Sequence, residues 1–99
     1  MKINLDFKFK NLDGEPIRRP EDKEDLNIRT VCVLALLGNY QDDRIEGVEK
    51  LSRYRLAMKI HGAVAEVELT VEEIALIKKL TAKMFSVLVV GQAWEYLEK

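Results

Sequence analysis

Apolar and polar residues alternate almost without a break from Lys2 to Lys10. Ile3, Leu5, Phe7 and Phe9 fall on one side, and Lys2, Asn4, Asp6, Lys8 and Lys10 on the other. A period of two is that of a β-strand with one wet face; a helix would scatter the four apolar residues around its circumference. Asn11-Leu12-Asp13-Gly14 then supplies turn chemistry, because Asp-Gly readily takes positive φ in a hairpin loop. The return segment, Glu15 to Arg19, carries Pro16, which confines it to an edge or to the first position of a strand. Arg18 to Asp25, RRPEDKED, holds no apolar residue, so residues 18–25 are expected to form a charged, solvated connector.

Apolar residues return at Leu26 and Ile28, and Thr30 is placed to cap a helix from about Val31 to Leu37, ended by Gly38 or Asn39. VCVLALL is apolar almost all round, which suits a central helix or a buried strand. Its Ala-Leu-Leu end before glycine favours the helix, the reading taken here. Asp42-Asp43 opens the next helix, which runs to about His61 and stops at Gly62; acids at its start and Lys59 and His61 at its end suit the helix dipole. Its core seam is read as Val48, Leu51, Tyr54 and Met58, with Ile45, Leu56 and Ile60 beside it. Gly47 costs about 1 kcal/mol relative to alanine and weakens the first turn. Residues 63–69 alternate again, with Ala65, Val67 and Leu69 inward and Glu66 and Glu68 outward.

The last third holds the clearest helix signal. Thr70 and Glu73 have capping-box spacing, and Ile74, Ile77, Thr81, Met84 and Leu88 follow the rhythm of one helical face. The pattern breaks near Ser86, and Val90, Ala93, Trp94 and Leu97 restart it on another phase. Two helices, roughly 71–84 and 87–97, are therefore predicted; a continuous bent helix, or a buried strand over VLVV, is the rival reading. The order β-β-α-α-β-α-α predicts an α+β fold. A small antiparallel sheet, made of the N-terminal hairpin and a strand near 64–69, packs against about four helices.

Ninety-nine residues suit one domain spanning 1–99, and 47% hydrophobic with 33% charged residues is a globular composition. A net charge of -1 argues against binding phosphate backbones by bulk charge. The single cysteine, Cys32, excludes an internal disulfide and is expected as a buried thiol. No apolar run approaches the roughly 20 residues that span a bilayer, and the charged N-terminal stretch does not read as a signal peptide, so the cytoplasm is the expected compartment.

Candidate chemistry is sparse. There is one histidine, His61, and no CxxC, HExxH, P-loop or GxGxxG pattern. No catalytic residue, metal ligand or cofactor is expected. Asp42-Asp43 and Glu72-Glu73 are paired carboxylates, but both sit where helix starts favour acids. Binding is the expected mode of action, most of all to a second copy or to another protein. Val87, Val89, Val90, Trp94, Tyr96 and Leu97 offer more apolar surface than one short terminal helix easily hides, and Trp and Tyr are favoured interface anchors. The alternative is nucleic acid. From Arg44 to His61 five cations stand against two acids, and Lys50, Arg53, Arg55 and Lys59 would meet phosphates while Tyr54 stacks. Against this, Tyr54 falls on the expected seam and the arginines flank it as solvated shoulders.

The stretches NLDGEPI, YRLAMKI, ELTVEEIALIKKL and VVGQAWEYLE together resemble small uncharacterised proteins encoded by tailed bacteriophages and prophages. The likeness covers most of the chain by general pattern and brings no functional residue with it. It implies a bacterial cytoplasm and an accessory or assembly-related binding role.

Overall fold

A computed structural model describes residues 1–19, 23–40 and 46–98. Its elements are β1 (Lys2–Asn4), α1 (Ile28–Leu37), α2 (Gly47–Gly62), β2 (Glu66–Glu68), α3 (Val71–Met84) and α4 (Val87–Leu97). The fold is α+β, as predicted. β1 and β2 pair antiparallel with Ile3 opposite Val67, which sets Lys2 against Glu68 and puts both apolar side chains on the core side. Val67 and Leu69 point inward as expected, but Val64 and Ala65 are exposed, because the strand begins only at Glu66.

The alternation over 2–10 is correct for burial and incorrect for pairing. Ile3, Leu5 and Phe9 are buried and Phe7 is half-buried, yet β1 ends at Asn4 and the chain changes partner across Leu5 and Asp6. Beyond that point three short extended segments pair with one another in a ring. Phe9 N–H donates to Leu26 O (3.0 Å), Leu26 N–H to Ile17 O (2.7 Å) and Ile17 N–H to Phe9 O (3.0 Å). The Asp-Gly turn is present, with Gly14 at φ 89 and its N–H on Asn11 O. The expected charged connector is the third side of this ring. Arg18 pairs with Asp25, and Arg19 N–H reaches Glu24 O at 2.8 Å, so most of 18–25 is backbone-paired rather than solvated coil; residues 20–22 lie outside the described residues. Charged side chains do not hinder such pairing, since the ladder bonds are made by the main chain while the side chains stay wet.

α1 is the central helix, packed against both α2 and α3. Its cap is Asn27, whose Oδ1 accepts from Thr30 N–H, so the helix starts three residues before the expected Val31 and Thr30 is not the cap. Val31, Cys32, Ala35 and Leu36 are buried on it. Arg29, on its first turn, turns away from its own helix. Its Nη1 donates to Ile60 O and His61 O (both 3.0 Å) and to Ala63 O, and its Nη2 to Val64 O (2.8 Å). These are the last carbonyls of α2 and of the chain just after it, where the helical ladder runs out; Ile60 O alone also accepts from Ala63 N–H, at 3.3 Å. The guanidinium also sits at the negative end of the α2 dipole.

α2 starts at Gly47, and the expected opening at Asp42-Asp43, with Arg44 and Ile45, lies outside the described residues. The largest correction concerns which way α2 faces. Leu56, Ala57 and Ile60, with Arg53, are buried, whereas the expected seam Val48, Leu51, Tyr54 and Met58 is exposed. α3 and α4 are the two separate helices predicted. The capping box is present in full, with Thr70 Oγ1 accepting from Glu73 N–H and Glu73 Oε1 from Thr70 N–H. Phe85, extended at φ -106 and ψ 164, ends α3, and no side-chain cap comes from Ser86.

Removing the Arg29 guanidinium takes a charged donor from four carbonyl oxygens, of which Ile60 O keeps Ala63 N–H and His61 O and Val64 O are open to water. Hydrogen bonds to a charged donor contribute about 1.5–3 kcal/mol, so Arg29→Ala is expected to destabilise the fold by about 2 kcal/mol in a urea titration, and Arg29→Lys by less. Burial pushes the Cys32 thiol up to about 12 from its ordinary 9.0. Below pH 9 the thiol is protonated in both folded and unfolded chains. Above it the unfolded chain ionises first, so this group's contribution to stability falls as pH rises from 9 toward 12. Native protein at neutral pH is expected to leave Cys32 unmodified by an aromatic disulfide reagent, and to release one equivalent of thiol only in denaturant; prompt native labelling would contradict its burial.

Candidate protein interface

The predicted 87–97 surface is divided by the fold. Val89 and Leu97 are buried core residues, Val90 and Tyr96 are half-buried, and Val87 (90% exposed) and Trp94 (38%) reach the surface. Tyr96 stacks on Phe7 with ring centroids 4.4 Å apart, and its hydroxyl donates to Asn4 O. Burial, together with the Asp6 carboxylate, pushes the Tyr96 phenol above its ordinary pKa. Gln92 clasps the Lys10 backbone in both directions, accepting from its N–H at 3.0 Å and donating to its carbonyl at 2.8 Å. Trp94 Nε1 donates to Lys78 O (3.1 Å), and the Lys78 ammonium lies 5.0 Å from the ring centre while pairing with Glu98. Most of α4 is thus engaged with α3 and with the N-terminal segment. Val87 and the edge of Trp94 remain as surface.

The alternative set is divided too. Arg53 is 4% exposed and paired with Glu49 at 3.4 Å, so it is a core-side residue of α2. Lys50 and Arg55 are exposed, and Lys59 lies 3.9 Å from Glu73.

What the structure adds is the outward stripe of α2. Val48, Leu51, Tyr54 and Met58 follow steps of three, three and four, which keeps them on one side of the helix, and they are 82, 46, 52 and 53% exposed. Lone exposed apolar residues are ordinary, but four large ones in a row on one helix are not. Leu51 and Val48 continue into a groove of about 510 Å³ between α2 and α3. Leu56 and Leu76 line its apolar part, Arg55 and Lys59 form the α2 lip, and Glu72 and Glu73 form the α3 lip. Periodicity alone groups the same four residues and assigns them to the core. The signal against that reading was present: α2 carries a second apolar set, Leu56, Ala57 and Ile60, and one side of a helix suffices for packing.

Among the described residues no cluster of three or more His, Cys, Asp or Glu side chains is arranged to hold a metal ion, and no helix is long and apolar enough to cross a membrane. Comparison with protein-family models, with curated proteins and with solved structures finds no match to this chain.

The assignment of the two faces is open to a direct check. Leu56→Ala is expected to cost about 2–5 kcal/mol, as for other buried leucines. Leu51→Ala and Met58→Ala, each about half exposed, should cost clearly less, about 1 kcal/mol or under, at protein concentrations where the chain is monomeric. Equal losses at positions 51 and 56 would mean that α2 is rotated from the orientation described.

Proposed function

We propose that this chain is a non-catalytic accessory protein that works by binding another protein chain, and that α2 carries the contact. The observation that supports this most strongly is the exposed stripe Val48, Leu51, Tyr54 and Met58, continuous with the groove against α3. A flat apolar strip beside a shallow groove, rimmed by charge, is the anatomy of a protein interface: an apolar centre that excludes water and a polar rim that sets orientation. Val87 and Trp94 on α4 are a second and smaller apolar exposure. The accessory role implied by the likeness to small phage and prophage proteins agrees with this reading.

Nucleic acid is the second reading, favoured by one observation. Tyr54 is half exposed between Lys50 and Arg55 rather than packed away, so a base could stack on it. The buried Arg53 and the acids Glu46 and Glu49 on the same helix weigh against it.

Position-specific photocrosslinking in whole cells separates the two. A photoreactive residue placed at Leu51 or Met58 is expected to give discrete protein adducts, while one at Leu12, fully exposed in the hairpin turn, gives none above background. Adducts to nucleic acid at 54 and 58 would favour the second reading. No adduct at any α2 position beyond the Leu12 level would remove the first.

A further inference from the structure

We infer that the occupant of the α2–α3 groove is a second copy of this chain, joined about a two-fold axis that runs along the groove. This deepens the protein-binding reading and rests on it. The argument is one of charge. The two lips are oppositely charged, Arg55 and Lys59 on α2 against Glu72 and Glu73 on α3. Arg55 and Glu72 make no ion pair among the described residues, so both lips keep an unmatched charge. The Lys59–Glu73 contact is long, at 3.9 Å. A two-fold axis in the plane of the contact and parallel to the groove reverses left and right between copies. It lays the basic lip of each copy over the acidic lip of the other, and the exposed Leu51 and Val48 of the two copies meet between them. The same surface serves on both chains, as an isologous contact requires.

The remaining physics is permissive. A formal net charge of -1 gives two copies almost no mutual repulsion. A standard interface takes roughly 800 Å² from each partner, about one eighth of the 6678 Å² surface of this chain. A helix of α2's sixteen residues is about 24 Å long, enough to run the length of such a patch.

The test uses the full purified chain, sedimentation velocity over a wide concentration range, and the exchange variants Arg55→Glu and Glu72→Arg. The parent is expected to dimerise. Each variant alone places like charges across the axis at two places and should weaken the dimer by about tenfold or more. Mixed in equal amounts, the two variants should recover dimer, because every altered lip then meets its complement on the other chain. Circular dichroism confirms that each variant is folded, and Leu51→Asn, which leaves the first turn of α3 untouched, should also weaken the dimer. A parent that is monomeric at every concentration overturns the inference. So does a dimer indifferent to both exchanges, or one that mixing does not restore. A monomer that still gives protein adducts at Leu51 in cells leaves the binding reading standing and removes only the second copy as its partner.

Discussion

The orientation of α2 depends on the grip that Arg29 takes on the end of that helix. A helix C-terminus exposes carbonyl groups that no later turn satisfies, and at the end of α2 only the N–H of the capping Ala63 folds back, onto Ile60 O, with no glycine in the left-handed conformation to cover the rest. One guanidinium, with its rigid fork of donors, serves four of those oxygens at once. The placement has a local cost, because a cation in the first turn of α1 stands at the wrong end of that dipole. The return is positional. It fixes the end of α2 beside the start of α1, where Ile60 lies fully in the core, and with Ile60 inward the helical period carries Ala57, Leu56 and Arg53 inward as well. Val48, Leu51, Tyr54 and Met58 then have nowhere to go but out.

How much of this was legible in the sequence follows from how local each determinant is. The α3 start was fully legible, since Thr70 and Glu73 satisfy one another within four residues. The β1–β2 pairing was legible because alternation at 2–9 and at 65–69 offers few other uses for Ile3 and Val67. The phase of α2 was not, because it carries two apolar sets and the choice between them is made by packing against another element, α1. Asn27 was missed as a cap because Thr30 offered an equally good local signal three residues later. The ring formed by the segments near Phe9, Ile17 and Leu26 could not be read either. Alternation says which side chains are buried, and it is silent on which backbone receives each N–H.

The C-terminal helix shows the same distinction between what is apolar and what is free. Its aromatic and branched residues look like surplus surface when counted along the chain. In the fold they answer needs of the N-terminal segment, which leaves its sheet at Leu5 and requires a new surface to lie on. Phe7 finds Tyr96, the Lys10 backbone finds the Gln92 amide, and Trp94 covers α3 while its N–H is satisfied at Lys78. An amphipathic ring with its polar tip bonded inside its own chain is a poorer anchor for a partner than one whose tip is open. The balance of candidate surface therefore moves from α4 to α2.

That shift also changes what kind of explanation the apolar stripe needs. The core is closed without it: α1 is covered by α2 and α3, and the buried set runs through every described element from Ile3 to Leu97. Val48 buries little in the single chain and Leu51, Tyr54 and Met58 leave about half their surface outside, so polar replacements there would lower the chain's tendency to stick. Folding of the single chain thus accounts for only part of the apolar surface these four residues carry. The groove beside them has opposite charges on its two lips; Glu73 caps α3 and meets Lys59, while Arg55 and Glu72 make no ion pair among the described residues. The proposed contact between chains would account for both, with the stripe supplying burial and Arg55 and Glu72 supplying alignment, whereas nucleic acid would use the cations and Tyr54 and leave Leu51 and Met58 without a partner.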